Sequence, residues 1–146
     1  RTVEELLKIK PDHYDITIFG AEPHPNYNRI LLSPVLAGEM TIQDIILNDL
    51  QWYADNGITL HLGSTVTGID RNTRSVTATG KGGETISVGY DRLLIATGST
   101  PFILPVPGND LPGVISYRDI KDTDEMIDAA ARYRSDPDPQ RRQRRA

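Results

Sequence analysis

No cysteine occurs anywhere in the 146 residues. A chain without thiols forms no disulfide, holds no iron–sulfur cluster through its own thiolates and runs no Cys-x-x-Cys exchange. Histidine is nearly as scarce: His13, His24 and His61 are scattered and make no metal-ligand spacing. Long apolar runs are missing too. A membrane helix needs about 18 apolar residues in succession, and no stretch approaches that. The first eight residues do not have the build of a secretory signal. These absences predict a soluble, cytoplasmic protein with no membrane partner. Residue 1 is Arg rather than Met, so the natural start is expected upstream. Apolar residues make up 38% and aromatics 6%, slightly low for a packed domain, so part of the chain is expected to stay outside the core.

What is present suits one ordinary domain. Acidic residues outnumber basic ones 20 to 16, for a formal charge of −4. That surplus argues against nucleic acid as partner. The charge is unevenly spread. Residues 132–146 hold six Arg against two Asp, which leaves ten basic and eighteen acidic groups in residues 1–131. The body is acidic and the end is basic.

Periodicity predicts a helix over residues 2–9, with Val3, Leu6, Leu7 and Ile9 near one face and Thr2 and Glu5 at capping-box spacing. Residues 15–20 read as a short strand. Residues 21–41 hold Pro23, Pro25, Pro34 and Gly38 and predict a long loop with a short helical piece near 31–36. Thr41 is placed to cap a helix carrying Ile42, Ile45, Ile46 and Leu47, and a second piece spans about 49–56, closed by Gly57. The runs 58–62, 66–70, 75–79 and 85–88 predict an antiparallel meander, with turns at Asn72-Thr73 and Lys81-Gly82-Gly83. Residues 90–98 predict an apolar strand, because Leu93 to Ala96 do not alternate. A linker-like loop covers 99–113, a short strand 114–117, and a helix about 119–132 with Ile120, Met126, Ile127 and Ala130 on its apolar side. Residues 135–146 offer no aliphatic anchor and are expected to be disordered.

Three places carry candidate chemistry. Glu22 follows the strand 15–20, and in dinucleotide folds an acid at the end of the second strand accepts hydrogen bonds from a ribose, about 20 residues after the glycine loop. That count puts the glycine loop at or before residue 1. The competing reading is an ordinary surface Glu. The second place is Leu94-Ile95-Ala96-Thr97-Gly98, an apolar run ending in a bare Thr-Gly corner, where ligands of open α/β sheets approach closely. Here the alternative is an ordinary turn. The third is Arg29 in a Pro-restricted loop, a fixed guanidinium suited to phosphate or an electron-rich ring, or else a surface salt bridge.

Taken together, Glu22, Asn28-Arg29-Ile30-Leu31-Leu32-Ser33, Gly63-Ser64-Thr65-Val66-Thr67-Gly68-Ile69-Asp70 and Tyr90-Asp91 through Ala96-Thr97-Gly98-Ser99-Thr100-Pro101 resemble the FAD-binding domain of the pyridine nucleotide-disulfide oxidoreductase superfamily. The stretch from Phe19 to Gly38, with Asn48-Asp49-Leu50-Gln51-Trp52-Tyr53, is similar to the large subunits of assimilatory NAD(P)H-dependent nitrite reductases. The resemblance implies an α/β fold: an incomplete Rossmann-like FAD/NAD(P)-binding domain over 1–131 with a small antiparallel meander inserted, its first strand and glycine loop lying before Arg1. It implies that Glu22 binds the adenosine ribose of FAD, that Arg29 and Ser33 lie along the flavin and pyrophosphate, that Val66 meets the adenine through its backbone, and that Thr97 and Gly98 approach the dinucleotide. Related ferredoxin and rubredoxin reductases often carry Lys where this chain has Pro34, which favours the nitrite reductase branch.

The implied parent passes electrons from NAD(P)H through FAD to a siroheme and iron–sulfur centre that reduces nitrite to ammonium. NAD(P)H, siroheme and the cluster belong to the parent and not to this segment. The implied partners are the remainder of the polypeptide and a small nitrite reductase subunit. No side chain here is a convincing acid, base or nucleophile, and no residue is placed on a metal. Two other readings stay open: an FAD-dependent reductase of a small electron-transfer protein, and a non-enzymatic fragment, its body a binding module and its basic tail, 132–146, binding acidic partners or nucleic acid.

Overall fold

The structure, a computed structural model, describes residues 1–11 and 13–135. Helix α1 (Thr2–Ile9) is followed by strand β1 (Thr17–Gly20), helices α2 (Leu32–Ala37) and α3 (Leu50–Asp55), strands β2 (Thr59–Leu62), β3 (Thr65–Asp70), β4 (Ser75–Thr79) and β5 (Thr85–Gly89), and helix α4 (Ile120–Ser135). Single 3-10 turns occupy Arg29–Leu31 and Gln43–Ile45. Two compact units divide the chain. One holds residues 1–27 and 46–95, the other residues 28–45 and 96 onward.

In the first unit β1 and β2 pair in parallel, Thr17 opposite Thr59 and Gly20 opposite Leu62. Parallel strands need a crossover of a dozen or more residues, and 21–58 supplies it. The run 58–62 was expected in the meander, and the structure corrects this. Gly63 takes φ +62 and the Ser64 N–H donates to the Gly20 carbonyl at 2.8 Å. The two-residue link is thereby tied to the end of β1 and cannot fold β2 back onto β3. Phe19 and His61, opposite each other in the register, stack at 4.8 Å. Before β2, α3 starts where Asp49 accepts the Trp52 N–H at 2.8 Å and ends at Gly57, φ +63. It buries Tyr53, whose hydroxyl donates to Asn26 Oδ1 at 2.7 Å; burial pushes that phenol's pKa up.

The meander consists of β3, β4 and β5, each antiparallel to its neighbour in sequence. Asp70 Oδ1 accepts the N–H groups of Asn72 and Thr73 at 2.7 and 3.1 Å, closing the first turn, while Arg74 takes φ +51. Those bonds, that from Thr73 first, hold the Asp70 carboxyl below the usual carboxylate range. Val76 and Ala78 on β4 are the buried side chains of this sheet.

The second unit centres on α2 and the first turn of α4, which pack together. Leu32, Val35, Ile45 and Ile120 are buried. A fully buried Ile stabilises by about 1.5–3 kcal/mol. Asp119 caps α4 by accepting the Asp122 N–H at 2.9 Å. The expected apolar side of this helix is corrected: Thr123, not Ile127, joins Ile120 in the interior, since the Thr123 hydroxyl is satisfied by the Asp119 carbonyl at 3.0 Å.

Four further expectations are corrected. Residues 90–98 and 114–117 form no strand, and Leu94 and Ile95 are each 66% exposed. An apolar run becomes a strand only beside a hydrogen-bonding neighbour, and among the described residues no strand pairs with this one. The Thr2–Glu5 capping box does not form. Thr2 lies inside α1, and Glu5 pairs with Lys8 at 3.0 Å. Thr41 caps no α-helix either; its N–H and hydroxyl both donate to Asp44 Oδ2, at 2.8 and 2.7 Å, around a single 3-10 turn. The part of the expected disordered tail at 136–146 lies outside the described residues.

Candidate functional site

Glu22 stands two residues beyond the carboxyl end of β1. Its main-chain carbonyl accepts the Gly63 N–H at 3.0 Å, so the segments leaving β1 and β2 are joined side by side. Its carboxylate is oriented by Tyr27, whose hydroxyl donates to Oε2 at 2.6 Å. The carboxyl ends of parallel strands are where open α/β sheets bind ligands. There the first unit has an open cleft of about 470 Å³, lined by Ala21, Pro23, Gly63, Thr65, Thr79, Gly80 and Lys81. The chain neighbours of Glu22 line it on both sides, and Thr65 brings in the start of β3. Val66 follows on β3, opposite Ala78 and next to the register shift at Thr67, and is 41% exposed. A bulge there re-aims the backbone of the edge strand.

The other four expected residues belong to the second unit. Asn28 Oδ1 accepts the Ile30 N–H at 3.1 Å and starts the 3-10 turn that carries Arg29. The Arg29 Nη1 donates to the main-chain carbonyl of Arg118 at 2.9 Å. The Tyr117 hydroxyl donates to Ser33 Oγ at 3.2 Å. Gly98 takes φ +70, and a Cβ built on it would lie 3.4 Å from Arg118 Nη2. The structure thus gathers Arg29, Ser33 and Gly98 around Tyr117 and Arg118. Thr97 precedes Gly98 and is exposed.

Tyr117 and Arg118 were not foreseen in the sequence. Arg118 is held in place by Asp122, whose Oδ2 accepts the Arg118 N–H at 2.7 Å and the Ser116 hydroxyl at 3.1 Å. The available signal was a cation directly before Asp119-x-x-Asp122, an acidic pair at helix-start spacing. Chemically, the first unit offers a positioned carboxylate that accepts hydrogen bonds from hydroxyls. The second offers two guanidinium groups beside a bare backbone corner, which suits anions. Among the described residues no cluster of His, Asp and Glu could hold a metal ion, and no helix is long and apolar enough to cross a membrane.

Comparison with known proteins matches residues 2–141 to the model of the pyridine nucleotide-disulphide oxidoreductase family. The chain is 52% identical over 134 residues to a nitrite reductase [NAD(P)H] of Bacillus subtilis, covering 92% of this chain and 16% of that protein. It is 48% identical over 133 residues to the assimilatory nitrate reductase electron transfer subunit of the same species, covering 91% and 17%. The chain therefore spans about one-sixth of the length of these relatives. Among solved structures, NADH:rubredoxin oxidoreductase from Clostridium acetobutylicum superposes with a TM-score of 0.68 at 31% identity, over 80% of this chain and 29% of that one.

Proposed function

The chain belongs to the pyridine nucleotide-disulphide oxidoreductase family, with its Rossmann-like α/β fold, and from that premise we propose that it is the FAD-binding segment of an NAD(P)H-dependent flavoprotein that reduces nitrite to ammonium. The observation that carries the FAD reading is Glu22: a carboxylate just past a parallel strand, oriented by Tyr27 and flanked by an open cleft. Residues 1–131 make up the binding segment in this reading and 132–146 a basic tail.

The residues present fit the two chemically different ends of a flavin dinucleotide. Glu22 accepts hydrogen bonds from the adenosine ribose, and Val66 offers backbone groups to the adenine. Arg29, with Arg118, neutralises negative charge on the pyrophosphate and the flavin ring; Ser33 adds a hydroxyl. Thr97 and Gly98 leave room for close approach, which a side chain at Gly98 would close off. When bound, the flavin supplies hydride acceptance and stepwise electron release. The chain's own residues bind and orient it, and none acts as an acid, base or nucleophile. The siroheme and iron–sulfur centre, the NAD(P)H site and a small nitrite reductase subunit are assigned to the rest of the parent assembly.

A second reading is favoured by the rubredoxin oxidoreductase superposition and by the electron transfer subunit at 48% identity: a reductase that hands electrons to a small electron-transfer protein. The two readings part in one experiment. The full-length polypeptide is purified, its released flavin identified, and NAD(P)H oxidation followed with nitrite or with a rubredoxin as acceptor. One FAD per chain and ammonium formed from nitrite are expected. Rubredoxin reduction without nitrite loss would select the second reading, and absence of FAD would overturn both.

A further inference from the structure

The cleft beyond β1 and β2 is walled by the tip of the β4–β5 hairpin, and Lys81 stands on that tip. The tip is fixed by two backbone bonds, from Gly80 N–H to the Glu84 carbonyl at 2.9 Å and from Gly83 N–H to the Gly80 carbonyl at 3.0 Å. A Cβ built on Gly63 would lie 3.5, 3.8 and 3.9 Å from Cβ, Cγ and Cδ of Lys81. The aliphatic stem of Lys81 therefore runs along the bare backbone of Gly63. That same Gly63 donates its N–H to the Glu22 carbonyl. One glycine thus leaves room beside it for the lysine stem and bonds the backbone of the acid that follows β1.

Among the described residues no carboxylate forms an ion pair with the Lys81 ammonium. Glu84, the acid nearest to it in sequence, is folded over Gly80 and Gly82 instead. Lys81 is exposed, so its charge carries no burial cost and is available to a ligand.

We infer that Lys81 is a further nucleoside-binding residue: its ammonium donates hydrogen bonds to the acceptor atoms of the adenosine whose ribose hydroxyls Glu22 accepts. This rests on the reading of Glu22 as the ribose carboxylate. The chemistry is complementary. An adenosine presents hydroxyl donors together with ring-oxygen and ring-nitrogen acceptors, and it carries no charge. A carboxylate with an ammonium matches both kinds of group and adds no net charge. The lysine stem supplies an apolar wall for the base, as long cationic side chains commonly do.

The test uses the full-length flavoprotein stripped of its flavin, with FAD and FMN as probes and flavin fluorescence as readout. Lys81→Met keeps the stem and removes the donor; it is expected to weaken FAD binding about fivefold, the loss of one hydrogen bond. Lys81→Arg restores binding to within about twofold. FMN, which lacks the adenosine half, binds all three proteins alike. Equal FAD affinity of the Met variant and the unmodified protein would overturn the inference, as would equal weakening of FMN. Failure of the unmodified protein itself to take up FAD, by contrast, would sink the Glu22 reading and this inference with it.

Discussion

The meander and the apolar run that follows it have similar raw material and different fates. Residues 65–89 and 90–98 are both rich in strand-forming side chains, yet the first closes into three paired strands and the second stays unpaired and exposed. In β3–β5 each strand pairs with its sequence neighbour, and the turns carry their own chemistry: the Asp70 carboxylate on two N–H groups, and the glycines at 80, 82 and 83. Residues 90–98 have no local partner. Apolar content decides that a strand is worth burying; hydrogen-bonding neighbours decide whether it exists.

The sharpest way to break this contrast is a pair of substitutions. Ala78→Asp places a charge at a fully buried position of β4 and is expected to cost about 3–5 kcal/mol. Ile95→Asp, at 66% exposure, is expected to change the stability of the 146-residue chain by less than about 0.5 kcal/mol. Urea unfolding of both variants measures the difference. A large effect of Ile95→Asp would mean that the run is buried in solution.

Ligand binding extends the comparison to the site. In the full-length flavoprotein Glu22→Ala removes two charge-assisted acceptors and is expected to raise the FAD dissociation constant roughly 100-fold. The 146-residue chain, with 90–98 unpaired, is expected to bind FAD weakly even with Glu22 intact. A stoichiometric yellow complex with quenched flavin fluorescence would show instead that the unpaired run does not matter to the site.

Smaller effects probe the capped ends. Asp119→Ala removes the α4 cap and should cost about 1 kcal/mol, read as a lower unfolding midpoint. The same change also loosens the start of the helix that holds Arg118, so its FAD affinity should fall more than its stability alone suggests. At the turn of the meander, the Asp70 carboxyl is held below its ordinary value by the Thr73 and Asn72 N–H groups. A depressed carboxylate contributes above its unfolded value of 3.8 and is lost as pH falls through the lower folded value. Amide exchange at Asn72 and Thr73 should therefore be unchanged near neutrality and accelerate, beyond its ordinary pH trend, only in that acid window. Asp70→Asn should abolish the step.

The sequence was most legible where structure is local. The Asp49 start and Gly57 end of α3, the helix near 31–36, the meander turns and the helix beginning at Asp119 all follow from residues within four or five positions of one another. Glu22 was legible for the same reason, as an acid directly after a β run. Tyr117 and Arg118 were not, because what marks them is contact with Arg29, Ser33 and Gly98, separated from them by about 20 to 90 positions in the chain. The pairing of β2 was also hidden: it runs beside β1 through a four-residue ladder, and the bonds from Gly63 to Glu22 and from Ser64 to Gly20 continue that pairing beyond the strands.

By itself, then, the order of residues determined the ends of α3, the start of α4, the turns of the meander, the acidic residue after β1 and the family to which the chain belongs. Only the tertiary structure decided that 58–62 runs parallel to β1, that 90–98 is left without a ladder, and that Arg118 meets Gly98. The physical reason is reach. Caps and turns draw on backbone groups a few residues away, whereas parallel pairing and the joining of distant loops depend on partners that a local pattern does not encode.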